Sequence, residues 1–88
     1  MKNVDIHHST VQVAGKSYQL SGAEDPTHFA QVASVTDRRI AESARMNPLF
    51  DREGVAVAAA LSFADELIKA QQTVARLKRQ LKKELPDE

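Results

Sequence analysis

The residues best suited to chemistry are two adjacent histidines near the start of the chain, His7 and His8. Imidazole nitrogens bind metal ions, but consecutive side chains of a strand point to opposite faces of a sheet. The two rings therefore could not readily bind one ion, and the chain has no cysteine to complete a set of ligands. We predict no metal site.

Serine, histidine and aspartate all occur, so hydrolytic chemistry has to be considered. A serine nucleophile is usually presented on a Gly-x-Ser-x-Gly elbow, and nucleotide phosphates are usually held by a glycine-rich loop. The sequence contains neither motif and has only 3 glycines. We therefore predict that the chain is not an enzyme and uses no cofactor.

A basic segment near the C-terminal end suggests a different activity. Residues 76–83 contain five basic residues and no acidic one. A basic helix beside a dimeric zipper can bind DNA, so the alternative function is a coiled-coil module for nucleic-acid binding or for oligomerisation alone. However, apolar residues continue through the segment, whereas a region that reads a groove should diverge from the coil. A solvated face is the simpler interpretation, so nucleic acid is not the partner we predict.

Length and composition limit the remaining possibilities. The 88 residues suffice for one small domain, and 3 phenylalanines and 1 tyrosine provide little bulk for a core. Such chains often pack against copies of themselves. The formal net charge is +0, cysteine is absent, and no apolar run approaches the roughly 20 residues that span a bilayer. The start of the chain also lacks an apolar signal core, so we predict a cytoplasmic protein with no membrane partner.

Two secondary-structure elements are predicted before residue 46. Residues 9–20 alternate between apolar and polar side chains on both sides of a turn at residues 14–16, which indicates a β-hairpin. Asp25 and Pro26 then suit the cap and first position of a helix that should end near Arg45. Its apolar face follows helical spacing, and its opposite face carries Asp37, Arg38 and Glu42.

A second, much longer helix is predicted after the breaker Asn47-Pro48. Asp51 is its predicted cap, and the chain has no proline or glycine from Val55 to Leu85. An 88-residue chain cannot cover a helix of roughly 45 Å. Apolar residues with alternating spacings of three and four predict a coiled-coil seam: Ala60, Phe63, Leu67, Ala70, Val74, Leu77 and Leu81. The alternative is an ordinary amphipathic helix packed on its own domain.

Residues 55–67 resemble the start of the long helix in ZapA cell-division proteins. They read Val-Ala-Val-Ala-Ala-Ala-Leu-Ser-Phe-Ala-Asp-Glu-Leu, where the family typically has Ala-Ala-Leu-Asn-Ile-Ala-Asp-Glu-Leu. Residues 11–18 are similar to the family's opening strand, basic turn and second strand. The order of hairpin, helix, proline-containing loop and long helix also matches. The resemblance covers about residues 4–85.

The resemblance implies an α+β fold with an N-terminal β-hairpin, a short helix, and a long C-terminal helix that forms an oligomeric coiled coil. Residues 1–62 would form a globular head and residues 63–88 a coiled-coil tail. Proteins of this family bind FtsZ, a tubulin-like protein, and cross-link its filaments at the division site at midcell. They form homodimers that join tail to tail as a dimer of dimers, so FtsZ and further copies of the chain are the expected partners.

Family positions linked to FtsZ binding fall on two residues of this chain. Lys16 follows the glycine of the turn, and Glu53 lies at the start of the long helix. Arg45 and Arg52 lie nearby in the sequence and could extend a charged patch. The alternative roles are a solvated turn residue for Lys16 and stabilisation of the helix dipole for Glu53. The expected oligomer interface consists of Phe63, Leu67, Val74, Leu77 and Leu81.

Overall fold

The computed structural model describes residues 5–84 of the chain. Two strands come first, β1 (His7–Val13) and β2 (Lys16–Gly22). Two helices follow, α1 (Pro26–Met46) and α2 (Arg52–Glu84). The predicted α+β order of hairpin, helix and long helix is confirmed. The predicted end of the long helix, near Leu85, lies outside the described residues.

The hairpin has a tight two-residue turn. The strands are antiparallel, and Val13 pairs with Lys16 across the turn. Ala14 and Gly15 both have positive φ angles, 53° and 79°, as in the type I′ turns that suit the twist of a hairpin. Glycine adopts this region freely, but an alanine there is disfavoured by about 1–2 kcal/mol. The turn is therefore strained at Ala14.

Both helices begin as the sequence predicts. The Asp25 carboxylate accepts a hydrogen bond from the His28 amide at 3.0 Å, and Pro26 is the first residue of α1. The Asp51 carboxylate accepts from the Gly54 amide at 2.8 Å. These caps satisfy amide groups that have no partner within their own helix.

The break between the helices also lies where the sequence places it. At the end of α1, the amide and the side chain of Asn47 both donate to the Ser43 carbonyl, at 3.0 and 2.9 Å. The Phe50 amide then donates to the Asn47 carbonyl at 3.0 Å, which closes a tight turn around Pro48. The chain thus reverses within a few residues, so that the first turns of α2 pack against α1.

A small core joins the hairpin to the two helices. Its buried apolar side chains within residues 5–84 are those of Val11, Phe29, Ala33, Val55 and Ala59. Phe29 and Ala33 lie one helical turn apart on the apolar face predicted for α1. Only one of the five is aromatic, so the core provides limited hydrophobic stabilisation for a single copy.

Helix α2 extends well beyond this core. The radius of gyration is 18.3 Å, against roughly 12 Å for a compact domain of the same length. The helix continues without interruption through residues 62 and 63, the predicted boundary between head and tail. Within residues 5–84, no helix has the combination of length and apolar character needed to cross a membrane.

Candidate partner-binding site and oligomerisation face

An open groove of about 960 Å³ lies between the hairpin and the two helices. Apolar side chains form most of its lining, including Val11, Leu20, Ile40, Phe50 and Val55. Three of the four candidate binding residues, Lys16, Arg52 and Glu53, also line it and are exposed. The fold therefore brings together residues that lie up to 37 positions apart in the sequence.

The fourth candidate is located elsewhere. Arg45 lies in the last turn of α1, is exposed, and is not among the residues that line the groove. A cation at this end of a helix interacts favourably with the helix dipole. Arg45 can therefore extend the charged surface only outside the groove.

The hairpin turn is held by side chains from both helices. The Ala14 amide donates to the Asp37 carboxylate at 2.8 Å, and the Arg52 guanidinium donates to the Ala14 carbonyl at 3.3 Å. Arg52 is therefore attached to the hairpin two residues before Lys16. The periodicity of the sequence assigns Asp37 to the polar face of α1 and gives no indication of its contact with the turn.

A cluster around Arg39 joins the middle of α1 to α2. The Arg39 side chain is 18% exposed and pairs with Glu66 at 2.6 Å and with Glu42 at 3.5 Å. It also donates to the Ser62 hydroxyl at 2.7 Å, and its guanidinium carbon lies 4.5 Å from the centre of the Phe63 ring. A planar guanidinium can make these contacts at the same time, whereas an ammonium group cannot.

Replacing Arg39 with alanine is expected to lower the free energy of unfolding by about 1–2 kcal/mol, since two partly exposed ion pairs, one hydrogen bond and one cation–π contact are lost. The Arg39→Lys variant keeps the charge but loses the planar geometry, so it should recover less than half of the loss. Urea unfolding followed by circular dichroism measures both. Arg38→Ala, an exposed neighbour on α1, is the control. Equal stability of the Arg39→Ala and Arg38→Ala variants would contradict this role.

The predicted seam of α2 is largely uncovered in a single chain. Phe63 is half-buried because Arg39 lies over one face of its ring. Four further seam residues are between 50% and 58% exposed: Leu67, Val74, Leu77 and Leu81. The predicted interface residues therefore lie on one helix and present apolar surface to solvent. An exposed apolar stripe of this length is typical of a protein interface.

One ionisable group on α2 has a clearly shifted pKa. The Asp65 carboxylate accepts a hydrogen bond from Lys69 at 2.9 Å, and this bond and the charge of Asp65 raise the pKa of the Lys69 ammonium. Because the lysine pKa is raised in the folded state, the pair stabilises the protein at neutral pH. This stabilisation is lost only in strongly alkaline solution, above the folded-state pKa. Because the pair is exposed, its contribution is small.

The two N-terminal histidines lie on β1. His8 shares a hydrogen bond of 2.8 Å with the Ser21 hydroxyl of β2, and His7 pairs with Gly22 in the strand register. Within residues 5–84, histidine and acidic side chains form no group of three or more that could hold a metal ion.

Comparisons with known proteins identify the family. The family model described as cell division protein ZapA matches residues 10–87. A cell division protein ZapA from Geobacillus kaustophilus is 37% identical over 75 residues, which cover 85% of this chain and 82% of the relative. A second, from Shouchella clausii, is 35% identical over 68 residues, which cover 77% of this chain and 87% of the relative.

A solved structure has the same fold. It is described as a ZapA mutant dimer from Geobacillus stearothermophilus, and its TM-score to this chain is 0.75 at 32% sequence identity. The match covers 93% of this chain and 95% of that chain. The order of elements, the family model and the relatives all agree, and the chain belongs to the ZapA family of cell division proteins.

Proposed function

We propose that the chain assembles with copies of itself along α2 and uses the groove of its head to bind FtsZ, so that one assembly cross-links neighbouring filaments at midcell in the cytoplasm. The observation that carries the proposal is the separation of two surfaces. A largely apolar groove that Lys16, Arg52 and Glu53 also line lies on the head, and an uncovered apolar seam lies on the projecting helix.

Self-association is supported by the burial pattern and by the solved relative. Seam residues of α2 are about half exposed in one chain. The similar structure from Geobacillus stearothermophilus is described as a dimer. A coiled coil would cover the seam, since its a and d side chains insert between those of a facing helix. The head would then be residues 1–62 and the tail residues 63–88, with two dimers joined through their tails.

Binding to FtsZ is supported by family membership and by the groove. Lys16 and Glu53 line the same groove, so a partner that docks there meets both charges. Charges at the rim of an interface set its specificity and its rate of association more than its affinity. Two heads on one assembly add a further advantage, because the second contact forms at high effective concentration.

The charge reversals Lys16→Glu and Glu53→Lys should each weaken co-sedimentation with FtsZ polymer by roughly 5- to 30-fold, equivalent to about 1–2 kcal/mol. The attraction of each charge is lost and replaced by repulsion. Helicity and the size of the oligomer should be unchanged, because both side chains are exposed. Raised salt should weaken the wild-type interaction as well, since exposed charges are screened.

The matched control for Lys16→Glu is Arg38→Glu, which makes the same change of charge at an exposed position of α1 that does not line the groove. It should sediment with FtsZ as the wild type does. If the two groove variants also sediment like the wild type, the binding residues lie elsewhere on the head. If wild-type protein binds duplex DNA at physiological salt but does not sediment with FtsZ, the nucleic-acid alternative replaces the proposal.

A further inference from the structure

The hairpin turn next to Lys16 is strained and does not have the sequence that its geometry prefers. Ala14 has a φ angle of 53° and Gly15 one of 79°. Turns of this kind favour asparagine or glycine at the first position, and alanine lacks both the side-chain hydrogen bonds of asparagine and the freedom of glycine. The conformation at Ala14 therefore depends on contacts from outside the hairpin.

Two such contacts hold the same residue. Asp37 of α1 accepts from the Ala14 amide at 2.8 Å, and Arg52 of α2 donates to the Ala14 carbonyl at 3.3 Å. The bond to Asp37 is the shorter of the two, so it is the better contact to remove in a test. Both polar groups of Ala14 are thus held by charged side chains from the helical part of the head.

Lys16 begins β2 directly after this turn. Its backbone direction follows from the φ angles of Ala14 and Gly15, so a relaxed turn would change where the lysine lies along the groove that it lines. Most of the hairpin does not depend on this, because the strands pair in register from His7 with Gly22 onward, and only the last pair, Val13 with Lys16, adjoins the turn. Loss of the contacts at Ala14 therefore affects the position of Lys16 and leaves the rest of the hairpin paired.

We propose that Asp37 is a positioning residue for partner binding: together with Arg52 it fixes the strained turn at Ala14, and thereby orients Lys16 toward the groove that receives FtsZ. This inference rests on the proposed function and deepens it. Asp37 itself makes no contact with the partner, so its effect on binding passes entirely through Lys16.

The first test removes the contact and then restores the turn by another route. Asp37→Ala should weaken co-sedimentation with FtsZ about tenfold, whereas Asp37→Asn, which keeps an acceptor oxygen, should lose much less. The double variant Ala14→Asn, Asp37→Ala should bind nearly as the wild type does, because Asn-Gly forms this turn without external support. Binding by Asp37→Ala at the wild-type level would overturn the inference.

A double-mutant cycle tests whether Asp37 acts through Lys16. In a Lys16→Ala background, Asp37→Ala should cause no further loss of binding. An equal loss in both backgrounds would overturn the inference, because Asp37 would then contribute independently of the lysine. If Lys16→Ala weakens binding and Asp37→Ala does not, only the positioning role fails. If neither variant weakens binding, both the positioning role of Asp37 and the proposed binding groove are wrong.

Hydrogen exchange provides a readout that does not need FtsZ. The Ala14 amide should exchange slowly in the wild type and in Asp37→Asn, and at least tenfold faster in Asp37→Ala, while the other hairpin amides change little. Loss of protection throughout the hairpin would show a structural role only and would overturn the positioning role.

Discussion

Replacing Phe63 with alanine is expected to dissociate the assembly at concentrations where the wild type is intact. Large-to-small substitutions of buried phenylalanine destabilise by about 3 kcal/mol or more, and a symmetric dimer loses two rings. Phe63 is half-buried within one chain, so part of the loss falls on the contact with Arg39. The remainder falls on the interface and should raise the dissociation constant by about 100-fold. Sedimentation velocity across a dilution series measures it.

Two adjacent residues of α2 provide a matched control. Leu67 lies on the seam and is 58% exposed, whereas Ile68 lies off the seam and is 54% exposed. Neighbouring residues on a helix point about 100° apart, so only one of them can face a partner along the seam. Leu67→Ala should weaken the assembly and Ile68→Ala should not. Equal effects would show that the seam is misassigned, and a folded wild-type monomer at tens of micromolar would contradict self-association.

Most of the fold follows from local signals in the sequence. Alternating side chains around Gly15 predict the hairpin, and Asp25, Pro26 and Asp51 predict where the helices begin. Each signal acts over a few residues, because capping bonds and turn geometry involve the nearest peptide groups. Such features can be predicted without knowledge of how the elements pack, and the structure confirms them.

The contacts that shape the candidate site could not be predicted in this way. Arg39 contacts Ser62, Phe63 and Glu66, and Asp37 contacts Ala14, all more than 20 positions away. Periodicity assigns residues to a face of their own helix but does not identify the opposing element. The one sequence signal for the contact at the turn is the alanine before Gly15. A two-residue turn with alanine at its first position needs support from elsewhere in the fold.

The exposed side chains of the tail indicate whether charge attraction or burial of apolar surface would join two dimers. Asp65 and Glu66 are already paired, with Lys69 and Arg39, so they offer limited charge relief to the basic segment of another dimer. Three apolar residues, Val74, Leu77 and Leu81, are 50%, 52% and 58% exposed. Burying the exposed part contributes about 1 kcal/mol for each, or on the order of 10 kcal/mol over four chains. Association costs a comparable 4–15 kcal/mol, so the tetramer should be weak and concentration-dependent.

The double change Leu77→Glu, Leu81→Glu should therefore abolish filament bundling while single filaments are still bound. It removes the apolar surface of the lower seam and adds like charges within it, so pairing through the tail is lost. The dimer keeps its heads and the upper seam around Phe63. Low-speed sedimentation and electron microscopy should show no bundles, whereas high-speed co-sedimentation with FtsZ should persist.

The matched control changes the net charge equally but leaves the seam intact. The Gln72→Glu, Arg79→Gln variant alters two exposed positions on the side of α2 away from the seam. It should bundle filaments nearly as the wild type does, since burial of the leucines contributes most of the attraction between the tails. If the control loses bundling as completely as the leucine variant, charge on the tail rather than the apolar seam would join the dimers. If a proven dimer of the leucine variant still bundles filaments, cross-linking does not require the tail, and the two heads of a single dimer must bridge neighbouring filaments.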